Sequence, residues 1–260
     1  MRKVLVFLTL IGISLSFFAG AVNAKNNQNE IPEVDGVYND PGHSGLKIRV
    51  IVHRAKPGPP PEPTLQCDSI TDPGSTAVVT PAGWKLPPTW TYNLNPTSVP
   101  SSVGGQYLAD FAASGFSEWR SATGNKVSFV QGSDTTITRQ AYDNQNIVAW
   151  GRVSSQNALA VTYIRYYQGG EAVDVDTIMN KKYAWSWADQ SQHDLCAYED
   201  TYDAQNILTH ELGHWVGLND HYTSEYTENT MYGYGSKMEI KKDTLTQGDI
   251  TGASNIYNNN

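Results

Sequence analysis

Two histidines four residues apart, with a glutamate directly after the first, stand at His210-Glu211-Leu212-Gly213-His214. On a helix this spacing puts both imidazoles on one face, about one turn apart, where they can reach one ion at roughly 2.0–2.1 Å. Glu211 then sits beside the ion without occupying it, placed to take a proton from a metal-bound water. That is the logic of the HExxH motif: two ligands and one base. A structural zinc site would fill its four positions with Cys and His. The only cysteines, Cys67 and Cys196, are too few and too distant for that. Gly217 marks the end of the helix, since glycine accepts the left-handed turn that redirects a chain. A redirected chain can bring residue 220 back under the metal.

The elements that must position these groups follow from periodicity. Thr201 to Val216 reads as the helix that carries the motif. Leu108, Phe111, Ala112, Gly115, Phe116 and Trp119 recur at helical spacing, which predicts a helix opened by Pro100-Ser101-Ser102 and ended near Ala122 before Gly124. Thr246 with Asp249 three residues later resembles a capping box. Ile250, Ala253, Ile256 and Tyr257 give the following helix an apolar face. Strands are expected at 46–53, 89–94, 126–130, 147–151, 159–166 and 173–179. From Trp84 on, the order is strand, helix, four strands, helix, irregular segment, helix, an α+β pattern.

Composition bounds the setting. The chain has 260 residues, a formal net charge of −8 and no dense Lys/Arg patch, which argues against nucleic acid or an anionic membrane surface as partner. Arg2 and Lys3, the apolar run from Val4 to Ala21 and the small-x-small end Val22-Asn23-Ala24 read as a signal peptide over residues 1–24. The mature chain is then expected outside the cytoplasm, with no stable membrane insertion. There, Cys67 and Cys196 are expected to form a disulfide. Residues 25–83 read as an N-terminal extension, a candidate pro-segment, with a stiff proline-rich linker over residues 57–63. Residues 84–260 read as the catalytic domain.

The run His210 to His221 (HELGHWVGLNDH) resembles the extended metzincin signature HExxHxxGxxH, whose three histidines bind catalytic zinc. The sequence departs from it at the third position, which holds Asp220, with His221 one residue later. Asp is a competent zinc ligand, and the pattern HExxHxxGxxD is similar to that of the snapalysin group. Asp220 is therefore the favoured third ligand and His221 its rival. Glu228 to Tyr234, centred on Met231, resembles the methionine turn that metzincins carry beneath the zinc. Leu245 to Tyr257 resembles the last helix of matrixins, so the likeness covers about residues 84–258. It implies a twisted, mostly parallel five-stranded sheet with three helices.

What remains outside the motif is thin. His43, His53 and His193 are too few for the second, structural zinc of the matrixin branch, so one catalytic zinc is implied. Calcium has only Asp174 and Asp176 as candidates, and these alternate as acids on a solvated strand face do. Tyr222 or Tyr234 can supply a phenol to an oxyanion, as a metal-adjacent Tyr does in some metzincins; surface packing is the plainer reading of each. Cys67 lies where matrixin zymogens keep a zinc-blocking thiol, but Leu65-Gln66-Cys67-Asp68 does not match that motif, and Cys196 offers a partner.

The resemblance implies a secreted zinc-dependent endopeptidase acting on proteins or peptides. Glu211 would assist attack of the zinc-bound water and return the proton to the leaving amine. Substrate is expected to add along an edge strand, with the strand preceding Asp174 or the one at 159–166 as the template. The alternative is a non-catalytic extracellular module that keeps the metal, for which Glu211 would have no use.

Overall fold

The computed structural model describes residues 31–58, 67, 74–189 and 196–258. The segment expected as signal peptide, most of the proline-rich linker and His193 lie outside the described residues.

In chain order the elements are β1 (Gly36–Asn39), β2 (Leu46–Ala55), β3 (Thr89–Leu94), α1 (Leu108–Ala122), β4 (Ser128–Gln131), β5 (Ile147–Gly151), β6 (Ala158–Tyr167), β7 (Ala172–Asn180), β8 (Trp185–Ser186), β9 (Tyr202–Asp203), α2 (Ala204–Trp215), β10 (Tyr234–Gly235) and α3 (Gln247–Asn258). The class is α+β, with three α-helices among the described residues. The main sheet has eight strands, ordered β1-β2-β6-β7-β5-β3-β4, and β10 also pairs with β2. The half β7-β5-β3-β4 is parallel, whereas β1-β2-β6-β7 is antiparallel. Five of these strands are those implied from Trp84 onward. β1, β2 and β10 extend the sheet beyond them.

Central strands β5, β6 and β7 are buried along nearly their whole length, as strands covered on both faces must be. One face packs against all three helices through a core that includes Trp119, Leu212, Trp215 and Ala253. The other holds a smaller core of Ile48, Val50, Val52, Ile147, Val161 and Ile178. Strand β2, which precedes the proline-rich stretch, thus contributes side chains to both cores.

Three local expectations need correction. The first helix does not begin at Pro100. Val103 N and Gly104 N both donate to Pro100 O at 3.0 Å, closing a turn. Gly104 then adopts φ 87°, which stops the run, and regular α-helix starts only at Leu108. In α3 the capping pair forms, with Thr246 N donating to Asp249 Oδ2 at 3.0 Å, but Ile250 is exposed rather than part of the apolar face. Finally, neither expected template strand is an edge: β6 lies between β2 and β7, and β7 between β6 and β5.

Cys67 and Cys196 are joined by a disulfide across a sequence separation of 129. Cys67 therefore has no free thiol to offer a metal.

Candidate metal centre

Helix α2 is built to hold its histidines still. Asp203 caps it, accepting from Asn206 N at 2.9 Å, and all 12 of its residues are buried. Trp119 of α1 donates from Nε1 to Thr209 O at 2.7 Å, and Trp84 donates to His214 O at 2.9 Å, so the last turns are fixed from two sides. A side chain at Gly213 would collide with Met231 and Trp119. The absence of one there lets Met231 sit directly beneath the helix between the two histidines. The turn around Met231 is tied down by Asp249, whose carboxylate accepts from Thr230 N at 2.9 Å and Met231 N at 3.2 Å. One acid thus caps α3 and secures the turn around Met231.

The helix ends as glycine dictates. Gly217 has φ 102°, and a Cβ there would strike Trp84 O. Leu218 N returns to Gly213 O at 3.0 Å, and the chain reverses. This reversal carries Asp220 Oδ1 to 3.0 Å from His210 Nε2 and 3.4 Å from His214 Nε2. His221 points elsewhere. Its Nε2 accepts from Thr80 N at 3.0 Å, and its ring stacks on Tyr226 at 3.9 Å.

His210, His214 and Asp220 pass a physical test for a metal. His210 Nε2, His214 Nε2 and Asp220 Oδ1 are all buried and without a hydrogen-bond partner. Unpartnered buried polar atoms are costly, and three converging on one point call for a cation. The outer ring nitrogens are already fixed: His210 Nδ1 donates to Thr230 O at 2.7 Å and His214 Nδ1 to Leu218 O at 2.8 Å. That leaves both Nε2 lone pairs free for a metal, the orienting arrangement metal-binding histidines ordinarily have. A second grouping, His53, His210 and Glu211, also has ligand-type atoms close together. There His53 Nδ1 and Glu211 Oε1 are already engaged with each other, so it makes the weaker cage.

Glu211 is fully buried. Its Oε2 accepts from Thr162 Oγ1 at 2.5 Å, and its Oε1 lies 3.1 Å from His53 Nδ1. Burial pushes its pKa up to about 7, partly offset by His214 and the Thr162 hydrogen bond. Burial likewise lowers His210 to about 4 and takes His53 well below the usual imidazole value. Lys242 is also fully buried and lowered to about 8 by burial; it donates to Tyr232 O at 2.5 Å and Tyr234 O at 2.8 Å.

Asp220 opens into a cleft of about 410 Å³ lined also by Asp35, Arg49, Arg54, Tyr222 and Tyr234. Tyr222 donates its phenol to Asp220 Oδ2 at 3.0 Å, and Tyr234 packs edge-on against Tyr222 at 5.0 Å. Both tyrosines therefore lie at the mouth of the centre.

Asp174 and Asp176 are not on a solvated face. Both are buried around Arg165, whose guanidinium is 2.6 Å from Asp174, 3.6 Å from Asp176 and 3.1 Å from Asp40. A built-in cation occupies the position considered for calcium.

Motif reading missed His53, Thr162 and Lys242. His53 comes from β2 and meets Glu211 across a separation of 158 residues, and no spacing rule links the two.

A family model described as matrixin, a peptidase family, matches residues 83–258. No curated protein matches the chain.

Proposed function

The chain belongs to the matrixin family, and on that premise we propose that it is a secreted zinc-dependent endopeptidase. His210, His214 and Asp220 are its zinc ligands, a set similar to that of the snapalysin group, and Glu211 is its general base. The observation that carries this reading is the convergence of three buried, partnerless ligand atoms beside a buried carboxylate. When bound, zinc supplies Lewis acidity that polarises a peptide carbonyl and acidifies water at neutral pH.

The chain's own groups do the rest. Glu211 accepts the proton of the attacking water and delivers it to the departing amine nitrogen. The raised pKa of its carboxyl suits a group that must both take and give a proton near neutrality. Thr162 fixes the carboxylate's direction through Oε2. Tyr222, at the mouth of the centre, is positioned to swing its phenol from Asp220 to a developing oxyanion, and Tyr234 braces it. Met231 serves as the floor that keeps the two histidines in register. The substrate is a protein or peptide that enters by the cleft beside Asp220. Residues 1–24 are proposed as signal peptide, 25–83 as the N-terminal extension and 84–260 as the catalytic domain. No described helix is long and apolar enough to cross a membrane.

The test is casein hydrolysis by the mature chain, with and without a zinc chelator, beside Glu211→Gln. Activity should vanish on chelation and return with zinc. Glu211→Gln should bind one zinc equivalent and lose activity on the order of 10²–10⁴-fold, the range of a general base. Zinc at one equivalent with no hydrolysis by the unmutated chain would replace this reading with a zinc-binding module.

A further inference from the structure

His53 is a buried histidine that the zinc set does not use. It lies on β2, in the N-terminal extension, paired opposite Ala160 of β6, where the register between the two strands shifts. That shift leaves Leu159 of β6 without a partner in β2, and beside it His53 turns its ring into the centre. The ring packs on that of His210 with centroids 3.8 Å apart. Its Nδ1 meets Glu211 Oε1 at 3.1 Å, and its Nε2 lies 3.5 Å from Lys242 Nζ. An ammonium can only donate, so Nε2 is the acceptor and Nδ1 carries the hydrogen that goes to the carboxylate. Lys242 is in turn held by two carbonyls of the segment after Met231. The ring's tautomer and direction are therefore set from both sides.

A carboxylate free to rotate is a poor base, because productive proton transfer requires it within a fraction of an ångström of one geometry. Thr162 restrains Oε2 but leaves Oε1 to be fixed by another donor. Each oxygen that accepts one hydrogen bond keeps lone-pair capacity for a proton. Two donors therefore orient Glu211 without disabling it.

We propose that His53 is a positioning residue for Glu211, supplied to the catalytic centre by the strand that extends the sheet beyond β6. The proposal rests on Glu211 as the general base. It also makes β2 part of the working enzyme rather than a segment that activation must remove.

The experiment compares three full-chain variants with the unmutated protein, reading zinc stoichiometry, Tm, kcat and KM on one peptide substrate. His53→Leu removes the donor. His53→Asn places an amide nitrogen near the ring's Nδ1. His53→Gln places its amide nearer Nε2 and Lys242. His53→Leu should lower kcat roughly 10- to 100-fold, the usual cost of losing such an orienting contact, at one zinc equivalent and with KM within about twofold. His53→Asn should recover most of the loss and His53→Gln should not. If His53→Leu fails to fold, the contrast between Asn and Gln carries the test alone. An unchanged or increased kcat in His53→Leu, a loss that only tracks zinc content, or equal activities of Asn and Gln would each overturn the proposal. Glu211→Gln, run in parallel, separates the two readings. Retained activity there removes the base itself, whereas lost activity there with His53→Leu unaffected removes only the role of His53.

Discussion

The centre around His210 and the cluster around Arg165 both bury ionisable groups in the sheet region, and they neutralise them in opposite ways. Around Arg165, three carboxylates surround a guanidinium belonging to the chain, and one oxygen, Asp174 Oδ2, is left without a hydrogen bond. Around His210, two imidazole nitrogens and a carboxylate oxygen converge with no donor between them. The first arrangement carries its own cation in the fold. The second is complete only with a cation from outside. Acidic residues close together are therefore a poor guide to metal binding. What separates the two clusters is whether the lone pairs already face a hydrogen.

The comparison breaks most easily at Arg165. Arg165→Leu leaves buried carboxylates without their cation and should cost about 3–5 kcal/mol of stability, measured by denaturant unfolding. Zinc stoichiometry should not change. An undiminished stability would mean that the guanidinium is not what holds the cluster together.

Next comes the metal. Adding zinc at about a hundredfold excess over Kd to chelator-stripped protein should stabilise it by about 2.7 kcal/mol. Asp220→Ala should lose most of that increment, while Arg165→Leu keeps it. An equal zinc response in Asp220→Ala would remove Asp220 from the ligand set and return attention to His221.

A pH difference follows from Asp174, which burial pushes up to about 6 despite Arg165. The folded value lies above the unfolded one of about 3.9. Its favourable contribution is therefore complete below about pH 4 and is lost as pH rises through 6. Asp174→Asn cannot titrate. Its stability relative to the unmutated chain should thus increase by on the order of 2 kcal/mol between pH 4 and pH 7. A flat difference across that range would mean that Asp174 is already ionised at low pH, with Arg165 dominating burial.

The smallest effect sharpens the contrast with a third solution. Asp203 is also buried and raised to about 6 by burial, but backbone N–H groups of Asn206 and Ala188 oppose that shift. Asp203→Ala should cost roughly 1–2 kcal/mol, the range for loss of a helix cap, without altering zinc content. A much larger loss in thermal unfolding would show that Asp203 does more than cap α2.

The readable parts of the fold were those whose geometry is local. The helix bearing the HExxH motif, Gly217 as its stop, the Thr246–Asp249 cap and the strand positions all follow from spacings within a few residues. The start of the first helix at Leu108 is not legible locally, because Gly104 outweighs a reasonable N-terminal signal at Pro100. Alternation at Asp174 and Asp176 reveals that two side chains share a face, but not what covers that face. Arg165, Asp174's partner across the β6–β7 pairing, was the available clue.

By itself, the sequence determined the candidate ligand and base residues, the family and the α+β order, since these rest on residue identity and short-range periodicity. Only the tertiary structure decided that Asp220 faces the histidines while His221 is captured by Thr80. It also decided that β2 covers the β6 edge and brings His53 to Glu211. Those contacts depend on which strands pair and in what register. That choice is set by the summed burial of two cores rather than by any short stretch of chain.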